Sequence, residues 1–95
     1  MTGSLTPEDR LFALQGRFGE ALLERPELLE VLPERFVLVV VPLDDPEAGR
    51  LALERLHRLQ AWTEEEGPLV HALFQGGELV GVVLPQGRVV ATRAA

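Results

Sequence analysis

The chain has 95 residues, with fifteen acidic residues against nine arginines and a net charge of −6. We expect no direct nucleic-acid binding, because that needs a basic surface to displace counterions. No cysteine is present, which excludes disulfides and zinc–thiolate sites. Length and composition together predict one small domain over residues 1–95, with residues 1–5 as a frayed tail.

The sequence has no pattern for membrane insertion or secretion. Its longest apolar run, Phe36 to Val41, is too short to cross a membrane. The first ten residues lack the basic and apolar regions of a secretory signal, so the sequence predicts a cytoplasmic protein without membrane contact. Asparagine and cysteine are absent and methionine occurs once, and this scarcity of thermolabile residues gives the acidic chain a thermophile-like composition.

The missing residue types also restrict catalysis. Without lysine the chain has no Schiff base, no covalently bound pyridoxal phosphate and no P-loop. Its side-chain hydroxyls are one serine and four threonines. These absences favour a protein that is not an enzyme and uses no cofactor, and they leave only acid–base or metal chemistry from carboxylates and two histidines.

The first helix has clear start and stop signals. Thr6 is a suitable N-cap and Pro7 suits the first helical position, while Pro26 ends the helix near Arg25. Apolar residues recur at helical spacing between these limits. Gly16 and Gly19 weaken the helix, and we expect them to allow close approach of a neighbour. The segment from 26 to 33 follows as a short helical turn.

A central strand and a second helix come next. Residues 36–41 are apolar at every position without alternation, which predicts a strand buried on both faces. The second helix is predicted from about Pro46 to Trp62, with an apolar stripe on one side. Residues 63–68 connect it to the next strand, and Gly67 is the expected turn residue.

The last third is predicted to be a meander with strands at 69–74, 79–84 and 89–92. The turns are "QGGE" at 75–78 and "PQGR" at 85–88, and Gly81 is a candidate bulge. The predicted fold is therefore α/β (α+β), in the order α-β-α-β-β-β. Its mixed sheet has a parallel β-α-β crossover followed by an antiparallel meander. The order of the last three strands stays open.

"FGEALLERPELLEVLPERFVLVVVPLDDPE", residues 18–47, resembles a small uncharacterised prokaryotic domain family. That family has a helix–PEL–LP–strand–LPxDDPE–helix pattern. Arg25 stands where the family has a histidine, so no role of that histidine transfers. The resemblance covers about Leu11 to Leu73 and leaves the C-terminal meander outside. It implies the α-β-α-β order and no chemistry.

Asp44, Asp45 and Glu47 follow the first strand directly. Ligands of open α/β sheets bind beyond the carboxyl ends of strands, so these carboxylates are a candidate Mg²⁺ or Ca²⁺ site. The structural alternative is simpler: Asp45 caps the second helix, Pro46 takes its first position and Glu47 favours the helix dipole. Three carboxylates are few for a divalent cation, and we prefer the cap.

Four further residues are candidates for a functional role. His57 is expected on the solvated side of the second helix. His71 is expected to be half-buried and hydrogen-bonded on a strand, with a pH-sensitive or ligand-contacting role as the alternative. Arg55, on the flank of the apolar stripe, is expected to lay its stem over apolar surface, and the alternative is a buried pair with a carboxylate at or away from a subunit interface. Arg55 and Trp62 are also candidate interface residues, because arginine and tryptophan are enriched at interfaces.

These observations predict a small self-associating module, most simply a homodimer, that acts through protein contacts or regulation without catalysis. An unidentified protein partner fits the same pattern. The alternative is a divalent-metal or small-ligand-binding domain, conceivably a small hydrolase, that uses the acidic cluster at 44–47.

Overall fold

The computed structural model describes residues 5–59 and 67–92. Their elements are α1 (Pro7–Glu24), α2 (Glu27–Val31), β1 (Val37–Pro42), α3 (Pro46–Leu59), β2 (Leu69–Gln75), β3 (Glu78–Val83) and β4 (Val89–Ala91). The order confirms the predicted α-β-α-β-β-β, with α2 as the short helical turn between the two prolines. The predicted strands agree with the observed ones to within one residue at each end.

Helix α1 begins as its sequence predicts. The Thr6 hydroxyl accepts from the Asp9 backbone N–H, and the Asp9 carboxylate accepts from the Thr6 backbone N–H. This reciprocal capping box satisfies two of the free N–H groups of the first turn. The helix ends at Glu24, before Pro26, because a residue that precedes proline avoids the α region.

The four strands form one sheet in the order β1-β2-β3-β4. β1 and β2 are parallel and are joined through α3, whereas the two later pairs are antiparallel. The predicted glycine hairpin joins β2 to β3, with Gln75 opposite Glu78. Gly76 and Gly77 both have positive φ, at 60° and 78°, which a two-residue type I′ turn requires. The register shifts between Leu73 and Phe74, opposite Val80 rather than at the predicted Gly81.

The helices pack on one face of the sheet, which we call the inner face. Phe74, Val70 and Val82 are its largest fully buried side chains. The core continues into the helix layer, where Leu11, Phe18, Ala48 and Ala52 are buried in the same cluster. The rings of Phe18 and Phe36 meet edge to face with centroids 6.5 Å apart, which ties α1 to the start of β1.

The prediction that β1 is buried on both faces is confirmed only in part. On the helix side Val40 belongs to the core and Leu38 packs against it; on the other side Val39 is buried, but Val37 and Val41 are only half-buried. The helix layer lies on the inner face, so the continuous apolar run of β1 meets it with alternate residues only. Within residues 5–59 and 67–92, the buried residues of α1 and α3 all belong to the inner-face core.

Two predictions about glycines have opposite outcomes. Gly16 and Gly19 allow no close approach: both are exposed, and a Cβ at either position would meet nothing within 4 Å. Gly67 is required where it stands. Its φ is +110°, and a Cβ there would lie 2.8 Å from the backbone oxygen of Arg35. The predicted end of α3 at Trp62 lies outside the described residues.

Candidate functional site

Strand alternation and register define the second face of the sheet, which we call the outer face. Residues paired across the strands share a face, so four rows run across it, and the fourth pairs Gln75 with Glu78 beside the β2–β3 turn. The first row pairs Val37 with Leu69. The second row is Val39, His71, Val83 and Val89, and the third row is Val41, Leu73, Gly81 and Ala91.

Nine of the ten residues in the first three rows are apolar and His71 is the tenth, whereas the fourth row is polar. Val39 and Gly81 are buried, Val89 is 61% exposed, and the other side chains are half-buried or exposed. None of the fifteen acids or nine arginines of the chain occupies one of these ten positions. An uncharged apolar patch of this kind is typical of an interaction surface.

The acidic cluster at the end of β1 lies at the junction of α1 and α3. Arg10 of α1 donates from Nε to Asp45 at 2.7 Å and from a terminal nitrogen to Glu47 at 2.6 Å. The Arg10 and Asp45 side chains are 30% and 27% exposed, so water screens this pair only in part. The same Asp45 carboxylate accepts from the Ala48 N–H at 3.1 Å, which makes it the N-cap of α3 as predicted.

These contacts set the ionisation of the cluster. The hydrogen bond from Arg10, and then the backbone bond from Ala48, hold the pKa of Asp45 below its usual value. The carboxylates of Asp45 and Glu47 in turn raise the pKa of Arg10. The cluster is therefore a clamp between two helices, and its charges are already paired.

The metal-site hypothesis for Asp44, Asp45 and Glu47 stays a prediction. Asp44 points elsewhere and accepts from the Gly76 N–H at 2.8 Å, which fastens the β2–β3 turn to the end of β1. Within residues 5–59 and 67–92, no three His, Asp or Glu side chains form a group suited to holding a metal ion. The three carboxylates thus have other partners and do not converge on a common point.

The two histidines differ in their surroundings. His57 is exposed on α3, as predicted. His71 is half-buried, as predicted, but its imidazole has no hydrogen bond among the described residues, which corrects that part of the expectation. Its neighbours across the strands are Val39 and Val83. His71 is therefore an unpartnered polar group within the apolar surface that the described strands form.

The prediction that Arg55 and Trp62 lie at an interface stays a prediction. Arg55 is 40% exposed and bonds to Glu8 at 3.3 Å, which links α3 to the first turn of α1. That contact is an exposed ion pair, so it lies between the two predicted alternatives of a snorkelling arginine and a buried pair. Trp62 lies outside the described residues.

An open groove of about 520 Å³ lies between the last turns of α1 and the β2–β3 turn. Its polar lining mixes both charges, with Arg17, Arg25, Glu20, Glu24 and Glu78. Thr92 also lines it, but its hydroxyl already donates to the Leu79 carbonyl at 2.6 Å. Because these side chains carry opposite charges, the groove does not indicate which class of ligand it would bind.

Sequence reasoning missed the outer face as a surface. The strands alternate between the two faces, and nearly every position is apolar, so no polar residue separates a solvent side from a core side. The signal that could have found it was the number of helices. Two long helices are enough to cover one face of a four-stranded sheet, and a second covered face would need more.

None of the helices in the described ranges is long and apolar enough to cross a membrane.

Comparison with known proteins agrees with this fold. The crystal structure of a hypothetical protein, TTHC002 from Thermus thermophilus, is similar to this chain with a TM-score of 0.62 and 33% identity. The match covers 90% of this chain and 94% of that one. The search of curated proteins gave no match.

A model of the family of unknown function DUF5647 matches residues 6–87. This match confirms the resemblance to a small uncharacterised family and extends it beyond Leu73, because it includes the β2–β3 hairpin. By this match over most of its length, the chain belongs to DUF5647, a family of unknown function.

Proposed function

We propose that this protein is a self-associating module in which the outer face of one copy packs on the outer face of a second copy. It acts through protein contacts rather than through catalysis. The observation that carries the proposal is the outer face itself, nine apolar residues around His71 on a sheet whose helices lie on the other side.

The distribution of charge favours a second copy of this chain as the partner that binds the outer face. Each chain carries a net charge of −6, so two copies repel each other over most of their surfaces. The ten positions of the first three rows hold no acid or arginine, so packing through these rows places no like-charged pair at the contact, and Glu78 lies at the margin beside the β2–β3 turn. A basic partner would gain nothing at this face, whereas an identical apolar face is complementary to it.

The size of the patch sets the expected strength. Four strands about 4.8 Å apart, each with about five residues rising 3.3 Å, give a face of roughly 300 Å² in projection. Two such faces fall below the roughly 1,200–2,000 Å² of a stable standard interface. We therefore expect a reversible dimer that forms as the protein concentration rises, and not an obligate one.

Sedimentation equilibrium over a range of concentrations tests the proposal. We expect the average mass to rise from the 10.5 kDa of one chain toward twice that value. Leu73→Glu places a charge on the outer face of β2 and should keep the protein monomeric. Leu53→Glu is the matched control, because Leu53 is a 55% exposed leucine of α3, on the helix side of the sheet. Thermal unfolding of each variant checks that it is folded.

The dependence of association on salt concentration gives a second and independent test of the proposal. Because both copies are acidic and the contact is uncharged, raising the salt concentration should screen the repulsion and strengthen association. An interface built from ion pairs would weaken under the same change. A wild-type protein that stays monomeric at about 100 µM, or a Leu73→Glu variant that associates as the wild type does, would contradict the proposal.

A further inference from the structure

His71 occupies a central position on the outer face. It lies in the second of the four rows on β2, an interior strand, with Val39 on one side and Val83 on the other. Along its own strand the next outer-face residues are Leu69 and Leu73. The imidazole has no hydrogen-bond partner among the described residues, so in the single chain it depends on water.

Dimer formation would exclude solvent from the imidazole of His71. A buried polar group without a partner is unfavourable, so an imidazole under a second copy needs a new hydrogen bond. In a two-fold dimer the same patch faces itself, and the polar side chain that the second copy brings to the patch is its own His71. A neutral imidazole has one N–H donor and one nitrogen acceptor, so two of them can pair as donor and acceptor.

The spacing of packed sheets permits this pairing. Face-to-face sheets lie about 10 Å apart, so a histidine from each side extends to the middle of the contact. In a two-fold dimer a residue meets its own equivalent where the axis passes, so an axis that crosses β2 at the second row brings the two His71 side chains together.

We propose that the two His71 imidazoles hydrogen-bond to each other across the dimer contact, and that protonation of this pair makes association acid-sensitive. The inference rests on the proposed function. A protonated imidazole has donors on both nitrogens and no acceptor, so two protonated rings cannot pair and repel each other. Acid should therefore separate the copies.

No other described charge explains such an effect at this place. The outer-face neighbours of His71 from all four strands are apolar. The charged residues adjoining these strands are at or beyond strand ends: Arg35 before β1, Asp44 and Asp45 after it, Glu78 at the start of β3 and Arg88 before β4. Loss of negative charge from the acids of the chain would act in the opposite direction, because it reduces the repulsion between copies.

Sedimentation equilibrium from about pH 7.5 to about pH 5.5 tests the inference. For the wild type we expect the dissociation constant of the dimer to rise about tenfold or more over this range, in which histidine gains charge. His71→Leu should still associate at the higher pH and should lose this rise. His57→Leu is the matched control and should retain the rise, because His57 is exposed on α3.

The outcomes separate the two proposals. A wild type that is monomeric at about pH 7.5 overturns both. A wild type that dimerises with the same dissociation constant at both pH values overturns the histidine pair alone. A His71→Leu variant that keeps the acid-induced rise also overturns the pair, because the sensitive group would then lie elsewhere.

Discussion

Replacing Gly16 and Gly19 with alanine should stabilise the fold. Both glycines lie inside α1, are exposed, and leave open space where a Cβ would stand. Neither is among the glycines with positive φ, so alanine fits the backbone without strain. Glycine costs a helix interior about 0.8–1.0 kcal/mol relative to alanine, because it has more conformational freedom to lose.

The expected gain in the free energy of unfolding follows from helix propensities, and the size of the domain converts it into a change in Tm. Each single substitution should add roughly 0.8–1 kcal/mol, and the double variant about 2 kcal/mol if the exposed sites act independently. For a domain of this size, 1 kcal/mol corresponds to about 4–8 °C in Tm. The double variant should therefore unfold about 8–16 °C above the wild type.

Circular dichroism during heating is a suitable assay, at one protein concentration for all variants, because association makes Tm depend on concentration. Ala13→Gly is the reverse control, since Ala13 is exposed in the same helix and its replacement should lower Tm by a similar amount. Unchanged or lower Tm values for both single variants would refute the reasoning. They would show that the exposed side of α1 is in contact with another surface.

Gly67→Ala should destabilise the protein by more than about 1 kcal/mol, because its φ of +110° is unfavourable for alanine and the new Cβ would meet the Arg35 oxygen; urea unfolding measures this. Asp45→Asn should flatten the loss of stability in acid. The lowered pKa of Asp45 means that its contribution is full above its unfolded value of about 3.9 and is lost as the pH falls through the folded one. Urea midpoints from about pH 3 to pH 7 test this, and parallel curves would refute it. Mg²⁺, Mn²⁺ or Ca²⁺ should not raise Tm selectively, because Arg10 holds Asp45; a selective rise that is lost in Asp44→Asn would restore the metal hypothesis.

The features that the sequence predicted well are those determined by local chemistry. The Thr6 cap needs only Asp9, three residues away, and the β2–β3 hairpin needs only its two glycines. The parallel crossover follows from the order of strand, helix and strand, because such units are right-handed and pair their strands in parallel. Each of these requires information from a short stretch of chain.

The features that it did not predict depend on distant residues. Arg10 and Asp45 are 35 residues apart, and nothing near Arg10 in the sequence indicates that it binds the cap of another helix. The Asp44 contact with the Gly76 N–H spans 32 residues in the same way. The acidic run "DDPE" therefore resembled a site, because its cationic and backbone partners are visible only after the chain has folded.

The incomplete burial of β1 on the outer face has a physical meaning. A strand that is apolar at every position is stable in a sheet only if both of its faces leave water, and the sequence of β1 has this property from Val37 to Val41. The chain supplies helices for the inner face, where Leu38 and Val40 are part of the core. For the outer face it supplies an equally apolar surface of β-branched residues and leucine. A second copy would complete the burial that the pattern requires, at a lower cost in chain length than a second helix layer. On this argument, polar substitutions at Val37 and Val41 should be tolerated by a monomer and should act against the dimer, whereas the same substitutions at Leu38 and Val40 should unfold the chain.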